Sequence, residues 1–595
     1  MLATKRTVCL FLTCLLVWLS LGACAQELPA DGVYTGVGAG MQSNITVEVT
    51  VADGNIASVD VISHNETPGI SDAAVETIPA AIVEAQSADV DAVATATYTS
   101  EGIMEAVRNA LSGAQAPVQE LAIEPDLIVV GGGMAGIVAS VRGAELGLQV
   151  LLLEGSARIG GCIHYAGGTI SGADFKIQHE NGIENDTPEA FYADVVRLGG
   201  GESELNPALS RAHCEKAGPA IDWLDETIGV DFGSRTLVAG AYAAFDTMRV
   251  TLAGDNSGLG GALGYLEPLT EHLDSAIEAG NVQLMLNTTV TELVVEDGKC
   301  IGVKVGDTLY TAPTTLLATG GYCHNEELLK MAGFDNIVSQ APKTSNGSGF
   351  YLAQAVGGVF DNMDKLTTYY GGGLMTDGFE MTYGANTSYP GRIYVDLEGN
   401  RVGDETTNDV RMWMNAPEDK LYLVISGNMV DPETVLLKYG ISTRTPLSNN
   451  GWDQLDVMAE EGNCVYKADT IEELAEKMGA PELVATVAKY NEDVAAGVDT
   501  LFGRAADTMV ALEEGPYYAV ETVPYAYTGS TGGVRVDGNG QLLTEDGVSI
   551  EGLFLAGEIL GPTCISGMVI FGGINHAMAA AWGLNAAENA AKTVE

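Results

Sequence analysis

The run Gly131-Gly132-Gly133-Met134-Ala135-Gly136 carries the clearest chemistry in this chain. Glycines at this G-x-G-x-x-G spacing let the backbone close on a diphosphate, and the N–H groups opening the next helix face its charge. The surroundings are right for that role. Asp126-Leu127-Ile128-Val129-Val130 reads as a buried strand, a helical stretch runs to Leu146, and Gln149 to Glu154 reads as a second strand ending in an acid. Strand, glycines, helix, strand and a terminal Glu154 able to accept ribose hydroxyls predict a dinucleotide site.

A second place for phosphate chemistry lies upstream. Asp31 to Gly36 opens a strand-like stretch, and Ile45 to Val51 alternates at period two. Ala52 to Asn55 makes a turn, and Ile56 to Ile62 reads as the returning strand. Ser71 to Gln86 and Thr99 to Leu111 read as helices. The second follows a Ser/Thr cluster whose helix-opening N–H groups could face a phosphate. Residues 31–111 therefore form a small α+β unit, and 112–124 carry no period and read as a linker spanning up to roughly 40 Å.

Composition removes several classes of function. The 595 residues hold 28 basic and 80 acidic side chains, a formal charge of −52. That charge argues against nucleic acid and against an anionic membrane surface as electrostatic partners. Nine cysteines without C-x-x-C, and seven histidines without ligand spacing, give no metal site. Disulfide status is open for the six cysteines after Cys24. Lys5 and Arg6 precede an apolar run from Val8 to Leu21, which reads as an export signal. Leu21-Gly22-Ala23-Cys24 resembles a bacterial lipobox. The resemblance implies removal of residues 1–23, acylation of Cys24 and an exported chain anchored on the outer face of the cell membrane. The alternative is plain secretion.

Two further resemblances assign the cofactors. Asp31-Gly32-x-Tyr34-x-Gly36, Glu66-Thr67-Pro68-Gly69 and Val90-Asp91-Ala92-Val93-Ala94-Thr95-Ala96-Thr97-Tyr98-Thr99-Ser100 are similar to the FMN-binding domain of exported redox proteins. In that family FMN is esterified to a threonine by a flavin transferase. The matching acceptor is Thr97, with Asp91 as the motif's acid; Ala94 and Thr95 replace the usual Ser and Gly. Downstream, Glu154-Gly155-Ser156-Ala157-Arg158-Ile159-Gly160-Gly161, Gly167-Gly168-Thr169, Gly182 to Glu189 and Leu317-Ala318-Thr319-Gly320-Gly321 resemble the fumarate reductase and succinate dehydrogenase flavoproteins. Gly552 to Glu558 and Gly572-Gly573-Ile574-Asn575 continue the likeness. It implies noncovalent FAD held by Gly131, Gly133, Met134, Ala135, Gly136, Glu154, Gly160, Gly161, Gly168, Thr169, Val290, Ala318, Thr319, Gly320, Glu558, Gly573 and Ile574. The implied fold class is α/β: a Rossmann-like FAD-binding domain (125–348 and 518–595) with an inserted α+β cap (349–517), preceded by the small FMN-binding domain.

The likeness breaks where fumarate would bind. The histidine expected before Thr531 is missing, an expected arginine is Ile570, and the Thr-x-Arg-Asp segment reads Thr406-Thr407-Asn408-Asp409-Val410-Arg411. Each charge-assisted contact to a carboxylate is worth roughly 1.5–3 kcal/mol, so fumarate is disfavoured. Tyr369, Tyr370, Tyr383 and Tyr389, with Arg392, Met412, Trp413 and Met414, offer an aromatic-lined pocket. Arg411, Tyr389 and Tyr527 are the candidate proton donors, whereas His576 and His324 read as packing. The expected activity is reduction of the C=C of an α,β-unsaturated acid or enone, with electrons passing from FMN to FAD from a quinol-linked or flavin-based donor. A dehydrogenase resembling the 3-ketosteroid dehydrogenases, and a tethered electron carrier, are the alternatives.

Overall fold

The computed structural model describes residues 28–40, 44–52, 54–64, 66, 71–93, 96–111, 121–233, 235–237, 245, 247–254, 262–333, 338–339, 341–365, 374–376, 379–381, 383–385, 392–405, 411–414, 416–427, 441–443, 459–460, 465–523, 525–526, 530–568 and 570–594. The export signal, Cys24, Tyr369, Tyr370, Tyr389 and Tyr527 lie outside them.

Period-two burial builds the first module. Strands β1 (Gly32–Ala39), β2 (Asn44–Ala52) and β3 (Asn55–Ser63) form an antiparallel sheet in that order. Ile45, Val47, Val49 and Val51 point inward from β2. They meet Ile78 and Ile82 of helix α1 (Asp72–Ala85) and Ile103 and Val107 of helix α2 (Thr97–Leu111) in a core separate from the rest of the chain. Each such side chain contributes about 1.5–3 kcal/mol on burial. Helix α2 starts two residues earlier than the expected Thr99, because Ser100 ties down its entry. The Ser100 hydroxyl accepts from the Val93 N–H at 3.0 Å and reaches the Ala96 carbonyl at 2.9 Å.

The large body is built on strands that are apolar on both faces. Strand β4 (Leu127–Val130), helix α3 (Met134–Glu145) and strand β5 (Val150–Leu153) form the expected βαβ unit, and all eight strand residues are buried. Such strands suit a parallel sheet covered on both sides. The order runs Thr308–Thr311, Lys299–Val305, Ser549–Leu555, Thr314–Leu317, β4, β5, Val282–Met285. Its centre is parallel, with Leu317 opposite Val130 and Val130 opposite Leu153. The carboxyl ends of these strands converge on one edge, where α3 and the closing helix Ile574–Val594 begin.

Two buried charge clusters fix what surrounds that edge. Arg249 donates to both oxygens of Asp186, at 2.7 and 2.6 Å, and to Asp194 at 2.5 Å. It leads into the strand Val250–Leu252, which pairs with Thr169–Ser171. Within 392–523, an antiparallel sheet of Ile393–Val395, Leu421–Ser426, Tyr517–Thr522 and Val465–Ala468 is locked by Arg401, which donates to Glu405 and Asp499. Arg504 donates to the same Glu405 at 2.8 Å. Among the described residues no helix is long and apolar enough to cross a membrane, and Cys162, Cys214, Cys300, Cys323 and Cys564 form no disulfide.

Candidate functional site

A cavity of about 500 Å³ opens at the carboxyl edge of the sheet. Its wall brings together Gly131, Gly133, Met134, Ala135, Glu154, Gly160, Gly161, Thr169, Val290, Ala318, Thr319, Gly320, Glu558 and Gly573, all expected from the sequence to share a ligand. Gly136, Gly168 and Ile574 are set back and shape the wall from behind. A Cβ on Gly136 would lie 1.9 Å from the Gly131 carbonyl oxygen. Gly168 accepts the Tyr265 hydroxyl at 2.7 Å, and Ile574 is fully buried.

Two glycines of the turn do different work. Gly131 has φ +107° and sits against the Ala318 carbonyl, a conformation and a proximity that exclude other side chains. Gly133 has an ordinary φ of −72°, and a Cβ there would meet nothing within 4 Å. The space it leaves open is the cavity. One end of the cavity is acidic: Glu154 accepts the Gly132 N–H on Oε2 at 2.6 Å and the Ser156 N–H on Oε1 at 2.7 Å. The Ser156 hydroxyl also donates to Oε1, at 2.6 Å. A carboxylate has about four acceptor positions, so capacity remains for one further hydroxyl, on the Oε2 side.

At the other end Glu558 is held by Ser530, whose N–H and hydroxyl donate to Oε1 at 2.6 and 2.8 Å. The Cys162 thiol lies 3.9 Å from Oε2. Burial outweighs these donors and pushes the Glu558 pKa up to about 7. Burial, then the Glu558 charge, pushes the Cys162 thiol well up, so it is no thiolate nucleophile.

Residues the sequence did not single out complete the wall: Thr288, Thr289, Cys162, Ser345, Asn346 and His576. His576 was expected to be packing. Its Nδ1 donates to the Thr169 carbonyl at 2.7 Å and its ring stacks on Tyr265 at 5.2 Å, which leaves Nε2 as the acceptor of a neutral ring. Burial holds its pKa below the usual histidine value. The polar loop residues have no periodicity, so no sequence signal could have found them.

Two polar atoms on this wall, Thr319 Oγ1 and Asn575 Oδ1, are buried without a protein partner. Together with the open space at Gly133 and the acid at Glu154, they fit an extended, hydroxyl-rich dinucleotide. On the small module, Thr97 and Asp91 are exposed at the entry to α2, apart from the cavity wall.

The substrate side departs from expectation at two residues: Arg392 is buried, with its carbonyl accepting from Arg504 at 2.8 Å, and Trp413 is not a pocket residue. Trp413, read as a stacking platform, is fully buried, packs edge-on to Tyr394 at 5.0 Å and points its Nε1 at Thr522. It belongs to the core beside the Leu421–Ser426 strand because a large apolar ring gains more by full burial than at a wet pocket. Arg411 opens the short helix Arg411–Met414. The expected arginine position, Ile570, is apolar and buried.

A parallel sheet with a diphosphate-sized cradle, joined to a small α+β module, defines a flavoprotein with two flavin domains. The chain belongs to the FAD binding domain family, which matches residues 126–576, and carries an FMN-binding domain over residues 40–112. It is of the fumarate-reductase-like class. It is 28% identical to urocanate reductase of Eggerthella lenta over 92% of this chain and 92% of that one. It is 26% identical to NADH:acrylate oxidoreductase of Vibrio harveyi over 89% of this chain, of whose length it spans only 58%. The open form of a flavocytochrome c3 fumarate reductase shares the fold, with a TM-score of 0.58 and 24% identity over 82% of this chain and 80% of that one.

Proposed function

We propose that this chain is an exported, lipid-anchored reductase of activated C=C bonds, loaded with covalent FMN at Thr97 and noncovalent FAD in the cavity. When bound, FMN at Thr97 would supply electron entry and FAD in the cavity would supply hydride chemistry toward an α,β-unsaturated acid or enone. The observation that carries the reading is the union, in one chain, of an FMN-binding module and a cavity built for a dinucleotide. Of the proteins named above, two are named for acrylate and urocanate, both planar α,β-unsaturated carboxylates, and the third is a fumarate reductase.

The chain's own residues have separable tasks in this reading. Glu154 would hold the ribose, the Gly131–Gly136 turn and α3 would hold the diphosphate, and Glu558 would accept from the ribityl chain. The amino end of Ile574–Val594 would stabilise negative charge developing on the flavin. Arg411, Tyr389 or Tyr527 donates the proton to substrate carbon. With Ile570 in place of a cation, a dianion such as fumarate would leave a carboxylate unpartnered, so the substrate carries one carboxylate or a carbonyl.

Three measurements test this reading. Coexpression with a flavin transferase gives a denatured band that fluoresces and carries the mass of FMN, and Thr97→Ala abolishes it. Wild type partitions with membranes and Cys24→Ser does not. A reduced dye then supports turnover of a panel of enoates and enones; a chain that retains both flavins and reduces none of them overturns the enzyme reading.

A further inference from the structure

The loop from Glu154 to Gly161 has two faces. Glu154, Gly155, Ser156, Gly160 and Gly161 line the cavity, whereas Ala157 and Arg158 meet the small module. The Ala157 N–H donates to Asn44 Oδ1 at 3.1 Å, and Asn44 Nδ2 donates to Asn287 Oδ1 at 3.3 Å. Asn287 in turn donates its N–H to the Ser156 carbonyl at 2.9 Å. One asparagine at the start of β2 thus grips two adjoining loops of the body. Beside it, the Arg158 guanidinium lies over the Tyr98 ring, 5.3 Å from its centroid. Tyr98 directly follows Thr97 at the exposed opening of α2.

Charge makes Arg158 notable. Residues 28–111 contain twelve acidic side chains and one basic one, Arg108, which pairs with Asp89 at 2.8 Å. A phosphodiester on Thr97 adds another negative charge to a module that already repels an acidic body. Bringing the two together needs a cation where they touch. Arginine suits this place because it stacks through its face and donates in its plane, so a ring contact and a phosphate contact are compatible.

We infer that Arg158 is a phosphate clamp: it holds the phosphodiester joining FMN to Thr97 and thereby docks the FMN-carrying module on the outer face of the FAD cradle. This rests on the attachment reading above. Flavinylation then strengthens the docking, and the flavin-bearing end of α2 is held against the same loop that walls the cavity.

Hydrogen exchange at the Ala157 amide, read by mass spectrometry on the full FAD-loaded chain, tests this without recourse to turnover. In the flavinylated wild type that amide is protected. In Arg158→Ala, and in Thr97→Ala, which carries no FMN, it exchanges roughly tenfold faster, while Arg158→Lys restores part of the protection. Asn44→Ala loses protection whether or not FMN is attached, which identifies the amide as the docking reporter. Intact mass reports attachment separately. A chain bearing FMN on Thr97 whose Arg158→Ala variant stays protected overturns the clamp alone. A chain with no adduct on Thr97 overturns the attachment reading and the clamp with it.

Discussion

Gly136 stands so close to Gly131 that a methyl group on it would sit 1.9 Å from the Gly131 carbonyl oxygen, whereas a methyl on Gly133, three residues earlier, would touch nothing. The first contact welds α3 onto the strand it follows. The second position is empty protein space.

The two glycines should therefore fail differently. Gly136→Val forces the helix off its turn and costs about 3 kcal/mol or more of stability, visible as a lowered melting temperature even without cofactor. Gly133→Val folds with an unchanged cofactor-free melting temperature but loses FAD on desalting, because its side chain enters the diphosphate's place. A Gly133→Val chain with full FAD content would remove these glycines from the binding site.

Glu558 predicts a pH effect of definite sign. Its pKa is raised from 4.5 to about 7 in the fold, so the folded chain keeps a proton that the unfolded chain releases. The associated stability, on the order of 3 kcal/mol, is fully present below about pH 4.5 and is lost as pH rises through about 7. Urea titrations of the FAD-free chain should show this decline, and Glu558→Gln should flatten it. FAD hydroxyls that donate to the ionised carboxylate reverse the trend for binding, so FAD affinity should rise between about pH 6 and pH 8.

Arg249 pairs with two buried carboxylates, and Asp194 also holds Arg197 at 2.6 Å. Arg249→Met leaves Asp186 with the Gln178 amide but no counter-charge and should cost about 3 kcal/mol. Denaturant unfolding of the variant checks this. A loss below about 1 kcal/mol would mean that water reaches the pair.

Substrate choice rests on Ile570. With a reduced dye as donor, fumarate turnover should be slow and that of an aryl enoate or enone clear. Arg411→Ala should cut kcat by about 10²–10⁴-fold if that guanidinium is the acid. Rapid fumarate reduction would overturn the pocket argument, and an unaffected Arg411→Ala would move the proton donor to Tyr389 or Tyr527.

The strand–turn–helix unit at Leu127–Leu153 was legible because every level agreed: apolar runs buried on both faces, glycines at the turn, an acid at the second strand's end. The module was legible from the alternation of Ile45 to Val51. Distant pairings were not. Nothing local marks Thr169 as the carbonyl that orients His576, or Ser530 as the donor to Glu558, since each meeting depends on strands far apart in sequence. Trp413 misled because an aromatic run looks the same whether it lines a pocket or fills a core.

The two separate cores also bear on how each flavin is kept. A module of about 80 residues buries little surface and opens often. A cofactor held there by contacts alone would escape at each opening, and outside a cell it would be diluted beyond recovery. The proposed ester to Thr97 would survive every unfolding cycle. A larger core opens less readily, so the sizes of the two cores would give a physical reason for the proposed division, one flavin tethered and the other bound.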